Sequence, residues 1–155
     1  SIYDEESVKY CEKLLKKHSD KIILPVDGYS TPKYQDGLEV KYSNIDDIPD
    51  NMMVLDIGPK TIDLFKEYIN KSKTVFWNGP VGVSEFSKFE YGTKSLCEVL
   101  KDSNAKVVIG GGDSASAAIR FGFKDSFSHI STGGGASLEF VEGKVLPGIE
   151  IIDER

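Results

Sequence analysis

Val107-Val108-Ile109-Gly110-Gly111-Gly112-Asp113-Ser114 reads as a short apolar strand, three glycines and an acidic helix start. The same logic recurs at His129-Ile130-Ser131-Thr132-Gly133-Gly134-Gly135-Ala136-Ser137, at the spacing of a βαβ unit. Each triglycine opens a helix, so two anion-binding helix ends are expected close together.

Working outward, strands and helices alternate. The pattern predicts strands over 52–57, 73–77, 106–109 and 126–130, and helices over 62–71, 89–103, 114–121 and 135–141. Val145 to Gly148 ends the last helix, and the tail from Ile149 is unassigned. The Ala-rich 114–121 segment can pack closely on a sheet. Upstream, Ile2, Val8, Tyr10, Cys11, Leu14 and Leu15 are spaced for one face of a helix over 1–18, capped by Ser1 or Asp4. Lys21 to Asp27 reads as a buried strand stopped by Pro25, Gly28 to Gly37 as a turn-rich segment, 38–42 as a half-buried strand and 44–51 as a loop. Short, glycine-marked connections imply crossover helices. The expected fold is therefore a three-layer α/β/α, Rossmann-like parallel sheet, with Gly58, Asn78 to Gly82, Gly110 to Asp113 and Thr132 to Gly135 on one rim. The chain opens on a helix with no preceding strand, as a piece of a larger unit truncated at its N-terminal side would.

The 155 residues suit one domain, and 39% hydrophobic with 28% charged residues is ordinary for a globular chain. A net charge of -6 argues against nucleic acid or an anionic membrane as partner, because both need a basic surface. Local phosphate binding through backbone N–H groups stays open. Cys11 and Cys97 make no C-x-x-C, so a reducing, cytoplasmic setting is the simplest. There is no signal-peptide pattern, and no apolar run approaches roughly 18 residues.

The first triglycine is not a P-loop, since no G-K-[ST] follows. Gly110-x-Gly112-x-x-Ala115 fits G-x-G-x-x-A, which leaves an NAD-type dinucleotide domain as the alternative. Asp113 opposes that reading, because a bare pyrophosphate at this helix start would meet a like charge. A magnesium ion removes the repulsion, being held by one or two carboxylates plus substrate phosphates. The bland alternative makes Asp113 a plain N-cap. Three consecutive glycines speak for close approach of something to the backbone. The second triglycine carries no carboxylate. Its N–H groups, with Ser131, Thr132 and Ser137 nearby, suit a phosphoryl group in transit; the alternative is a tight turn.

Phe76-Trp77-Asn78-Gly79-Pro80-Val81-Gly82-Val83-Ser84-Glu85 is a third candidate, with Glu85 as acceptor for ribose hydroxyls or as a solvated acid, and Trp77 in the core. Gly58 lets a base or ribose lie on the backbone, or simply marks a helix entry before Pro59. His18 and His129 have no catalytic spacing, and no general base is evident. That absence is consistent with phosphoryl transfer, which rests on positioning and charge. A non-catalytic interaction module is a third class.

These motifs, with Leu24-Pro25-Val26-Asp27, Asp56-Ile57-Gly58-Pro59 and Glu142 to Gly148, resemble the carboxyl-terminal half of the phosphoglycerate kinase family, in order over almost the whole chain. The resemblance implies two Rossmann-like domains closing on a hinge. It implies phosphoryl transfer between 1,3-bisphosphoglycerate and ADP, giving 3-phosphoglycerate and MgATP. Residues 1–155 would be a partial nucleotide-binding domain, with the substrate domain and its catalytic arginine absent. By this likeness Asp113 holds Mg²⁺. Gly111, Gly112 and Ser114 line the phosphates, Glu85 the ribose, and Gly58, Asn78 and Pro80 the adenosine. Gly133, Gly134 and Gly135 donate to the phosphoryl group. Ser114 replaces a more usual Thr, and Ser84 a common aromatic near Glu85. The expectation is a monomeric parent enzyme and a fragment without kinase activity alone, with weak MgADP or MgATP binding left open. An exposed apolar edge or sheet face is expected too.

Overall fold

The computed structural model describes residues 4–152. The first helix, α1 (Glu5–His18), is capped by Asp4, whose carboxylate accepts from the Ser7 N–H at 2.9 Å. Ser1 and Ile2 lie outside the described residues. The apolar face of α1 is only partly covered: none of its residues is buried, Val8 and Tyr10 are exposed, and Leu14 and Leu15 are half-buried. Amphipathic spacing forms a stripe, but burial needs an element to lay it on.

Two further expectations fail next. Residues 21–26 form no strand, and the ladder starts only at Asp27. Val26 and Asp27 instead donate their N–H groups to Thr61 Oγ1, at 3.0 and 3.2 Å. The segment read as a turn begins with β1 (Asp27–Thr31), the central strand of an antiparallel sheet of order β2-β1-β3, with β2 at Lys41–Asn44 and β3 at Met53–Ile57. Small polar residues suggested a turn, yet here smallness serves crowding. A Cβ at Gly28 would lie 2.7 Å from the Asp56 carbonyl oxygen and 2.9 Å from Val54 Cγ1. No helix lies between β1 and β2, so the chain returns as a hairpin and this sheet is not parallel.

From β3 onward the α/β pattern holds. Helix α2 (Pro59–Lys71), β4 (Thr74–Asn78), α3 (Tyr91–Asp102), β5 (Lys106–Gly110), α4 (Gly112–Arg120), β6 (His129–Ser131) and α5 (Gly134–Val141) follow in turn. A short α6 (Pro147–Glu150) occupies the stretch read as a stop and an unassigned tail. Strands β4, β5 and β6 are parallel and adjacent, with Trp77 opposite Ile109 and Ile109 opposite Ile130. Trp77, Val107 and Ile109 turn one face into the core with Leu96, Cys97 and Leu100 of α3 and Ala118 of α4. Ala118 is fully buried, as close packing on a sheet requires. The opposite face, with Phe76 and Val108, lines an open apolar groove of about 570 Å³ edged by Phe140, Leu146 and Ile149. Helix α5 has no buried residue.

Candidate functional site: four helix starts, two of them open

Four strand-to-helix turns follow β3, β4, β5 and β6. Asn78, Gly110 and Ser131 are neighbours across the parallel sheet, so the last three turns share a rim. The first turn joins them through the 79–85 segment, whose Val83 N–H donates to the Leu55 carbonyl at 2.8 Å.

The helix starts differ in what satisfies their free N–H groups. At α2 the acceptor is the side chain of Asp27, a fully buried residue on β1. Its carboxylate takes N–H bonds from Lys60 (2.9 Å) and Thr61 (2.8 Å) and O–H bonds from Thr61 Oγ1 (2.6 Å) and Tyr42 (2.8 Å). Burial raises the pKa of this carboxyl, but the bonds from Thr61, Lys60 and Tyr42 outweigh it and hold it below the ordinary 3.8. At α3 the acceptor is Asp56 of β3, 1% exposed, bonded by the N–H groups of Gly92 (2.8 Å) and Ile57 (2.9 Å). Here burial wins against those two bonds and pushes the carboxyl up to about 7.

The starts of α4 and α5 have no such internal carboxylate. Their N-caps are Gly111 (φ 97°) and Gly133, neither able to supply a side-chain acceptor. Asp113 is therefore not the N-cap. It is the second residue of α4, exposed, and makes no side-chain hydrogen bond or ion pair among the described residues. The two turns touch. Gly111 N–H donates to the Ser131 carbonyl at 3.0 Å, and a Cβ at Gly134 would lie 2.9 Å from Gly111 Cα.

The fold accounts for some of the six glycines and not for others. Gly110 lies against the Phe76 ring, Gly111 has positive φ and faces Asn78 Oδ1, and Gly134 abuts Gly111. Added Cβ atoms at Gly112 and Gly135 would meet nothing within 4 Å, and one at Gly133 only Ser131 Oγ at 3.8 Å. Internal packing does not require glycine at these three positions, whereas close approach of a ligand would.

The remaining residues singled out from sequence are spread around this rim. Ser114 is buried, and its Oγ accepts from the Gly79 N–H at 2.6 Å, so it ties the two loops together. Asn78 is exposed, with its Oδ1 beside Gly111 and near Gly134. Pro80 lines a cleft of about 310 Å³ with Ile57, Val81 and Val83. Gly58 sits at the α2 start, where a Cβ would strike the Asp27 carboxylate; that contact is reason enough for glycine. Glu85 is exposed on a pinned turn. Arg120 donates to the Ser84 carbonyl at 2.5 Å, Lys88 Nζ donates to the Leu38 carbonyl at 2.9 Å, and the Phe86 ring packs on Tyr34 at 5.2 Å. Ser131 and Ser137 hydroxyls are 3.1 Å apart, and Ser137 Oγ donates to the Gly133 carbonyl. The helix-capping roles of Asp27 and Asp56 were not legible in the sequence, for each cap acts on residues more than 30 positions away.

The donor set at α4 suits Mg²⁺, which needs one or two carboxylates when phosphates complete its shell. Asp113 supplies one, beside open space at Gly112. Among the described residues, no group of three or more acidic, histidine or cysteine side chains forms a stand-alone metal cage.

Fold and site together define an α/β domain with two uncapped glycine-rich helix starts set side by side at the carboxyl ends of parallel strands. The sequence model of the family described as phosphoglycerate kinase matches residues 1–144, and the chain belongs to that family. A phosphoglycerate kinase of Fusobacterium nucleatum is 49% identical over 156 residues, covering all of this chain and 39% of its own length. One of Spiroplasma citri is 50% identical, covering all of this chain and 38% of its own length. The solved phosphoglycerate kinase of Coxiella burnetii superimposes with a TM-score of 0.88 at 34% identity, over 96% of this chain and 39% of that one. The Pyrococcus horikoshii enzyme gives 0.81 at 31%, over 94% of this chain and 36% of that one. The chain thus spans about two fifths of the length of these relatives.

Proposed function

We propose that this chain provides the magnesium–nucleotide part of a glycolytic phosphoryl-transfer site. Within the longer enzyme, that site moves a phosphoryl group between 1,3-bisphosphoglycerate and ADP to give 3-phosphoglycerate and ATP. The carrying observation is the contrast between helix starts. Asp27 and Asp56 fill α2 and α3 from within, while no side chain caps α4 or α5, so apart from the Gly111 and Gly134 N–H groups, which donate to the Ser131 and Thr132 carbonyls, their first N–H groups are left for an external anion.

The roles follow from placement. The α4 start, with Gly111 and Gly112, takes the phosphates of ADP or ATP, and Asp113 would hold their Mg²⁺. Bound there, the ion neutralises phosphate charge. The α5 start, with Gly133, Gly134 and Gly135, donates to the phosphoryl group in transit; fixed donors at developing charge are the main source of rate in such chemistry. Glu85 accepts from the ribose, and Pro80 with Gly58 and Asn78 borders the adenosine. Ser114 acts on the Gly79 backbone and so shapes the site rather than lining it alone.

Residues 1–155 are a partial nucleotide-binding domain in this reading, and the cytoplasm is its setting. Among the described residues no helix is long and apolar enough to cross a membrane. The phosphoglycerate partner requires basic residues from another domain, so the chain by itself is expected to turn nothing over. Titration with MgADP and with NADH, alongside an assay with 3-phosphoglycerate and MgATP, tests this. MgADP binding without turnover is the expected result. NADH binding in its place would restore the dinucleotide reading, and binding of neither ligand the interaction module.

A further inference from the structure

We propose that Asp56 is the positioning residue of the 79–85 turn: its carboxylate, seated between Gly82 and the first turn of α3, sets how that turn meets the adenosine of a bound nucleotide. The inference rests on the nucleotide reading above and adds a residue that reading does not use.

Three elements converge on this side chain. It is carried by β3 and is 1% exposed. One oxygen accepts from Gly92 in the first turn of α3, the other from the adjoining Ile57 N–H. The third element is the 79–85 turn itself. A Cβ at Gly82 would occupy the place of the carboxylate, and so would one at Gly92. Neither glycine has a positive φ. They are glycines because Asp56 lies where a side chain would start, not because the backbone bends. One residue earlier, Leu55 accepts the Val83 N–H, so the turn is laid along β3 by one hydrogen bond and levelled by one carboxylate.

Among the described residues, no cation faces the group. Tyr29 lies opposite it on β1, with Asp27 further along that strand, Tyr91 stands at the α3 start, and residues 79–84 bring no titratable side chain. Among the described residues backbone donors are its only polar partners, so it is held by geometry rather than by an ion pair. An apolar replacement would leave the Gly92 N–H unpaired and the Gly82 side of the turn unsupported. Asp56 also lines the 310 Å³ cleft with Gly82, Val83 and Pro80, and Pro80 is the residue this cleft shares with the set assigned to adenosine. Movement at Asp56 therefore reaches the Gly82–Val83 end of the turn first, and the α4 start only through the Gly79–Ser114 hydrogen bond at the turn's far end.

The test compares Asp56→Asn and Gly82→Ala with the parent chain, using MgADP and magnesium pyrophosphate as probes and amide exchange at Val83 as a ligand-free readout. Asn keeps the volume and one acceptor. The Gly82→Ala change keeps the aspartate but forces it and the turn apart, so it carries the test if Asp56→Asn does not fold. The expected result is MgADP binding weakened about tenfold, since small misplacements of a binding wall are amplified in affinity. Magnesium pyrophosphate should bind as to the parent, and exchange at Val83 should be faster. Unchanged MgADP affinity in a folded variant, or equal weakening of both ligands, overturns the proposal. Should the parent bind neither ligand, the nucleotide reading falls. Exchange at Val83 then decides the positioning claim by itself, with parent-like protection refuting it.

Discussion

Asp27→Ala should unfold the start of α2. The carboxylate accepts four hydrogen bonds from three residues, all brought to it by the fold rather than by nearness in sequence. Of the donors released, Tyr42 is 43% exposed and regains water, and Thr61 Oγ1 keeps the Asp27 carbonyl at 3.1 Å. The backbone N–H groups of Thr61, buried, and Lys60, part-buried, lose their only acceptor at the helix start. A buried donor left unpaired costs about 1–3 kcal/mol, and a part-buried one less, for a total of about 3 kcal/mol. Asp27→Asn keeps one acceptor and should lose roughly 1–2 kcal/mol. Urea titration followed by the single tryptophan, Trp77, 6% exposed in the core, reads this directly. With a slope of about 2 kcal/mol per molar urea, the midpoint of the Asp27→Ala variant falls by about 1.5 M. Because the folded carboxyl lies below its ordinary value, its contribution is present above that value and is lost as the pH falls through the folded one. An Asp27→Ala variant within about 0.5 kcal/mol of the parent near neutral pH would refute the idea that Asp27 caps α2 across the fold.

Asp56 gives the opposite pH dependence. Its folded carboxyl, at about 7, holds a proton that the unfolded chain loses near 3.8, so its contribution is complete below 3.8 and disappears as the pH rises through about 7. That span corresponds to roughly 4 kcal/mol, and stability measured from pH 4 to 8 should fall in the parent and flatten in Asp56→Asn; parallel profiles would contradict the assignment. Gly112→Ala meets open space at the first position of α4, so thermal stability should stay level or rise by up to about 1 kcal/mol while MgADP binding drops; retained binding would remove the phosphate from that turn. Gly134→Ala instead strikes the Gly111 backbone and should lower stability by about 1–3 kcal/mol, visible as an earlier melt. Asp113→Ala should leave the melt unchanged, since the side chain holds nothing inside the fold, yet abolish the magnesium dependence of nucleotide affinity; an unchanged metal dependence would remove the ion from this residue.

Much of the architecture from β3 onward was legible because its signals are local. Met53 to Ile57 and Lys106 to Gly110 are mostly apolar stretches of strand length, α2 and α3 carry helical spacing, and the triglycines mark where strands end. The turns around Asn78, Gly110 and Ser131 lie together, as parallel strands joined by short crossovers must place them. Local signals failed where a residue's type answers to a distant neighbour. Gly28 and Ser30 read as turn residues, yet both lie on a central strand between two others, and at Gly28 there is no room for a side chain. The spacing in α1 marked a face, yet none of the helix's residues is buried.

What the sequence determined alone is the α/β class, the positions of the strand-to-helix turns, and a family likeness that needs only motifs in order. Tertiary structure alone decided which helix starts are open. Asp27 reaches Thr61 across 34 positions and Asp56 reaches Gly92 across 36, and no periodicity records such a pairing. The same holds for the glycines. Their identity shows in the chain, but only packing separates Gly134, which another backbone requires, from Gly112, Gly133 and Gly135, which the fold leaves free. The physical reason is range. Propensity and hydrophobic pattern act over a few residues, whereas capping and steric exclusion act between whatever the chain brings within a few ångströms.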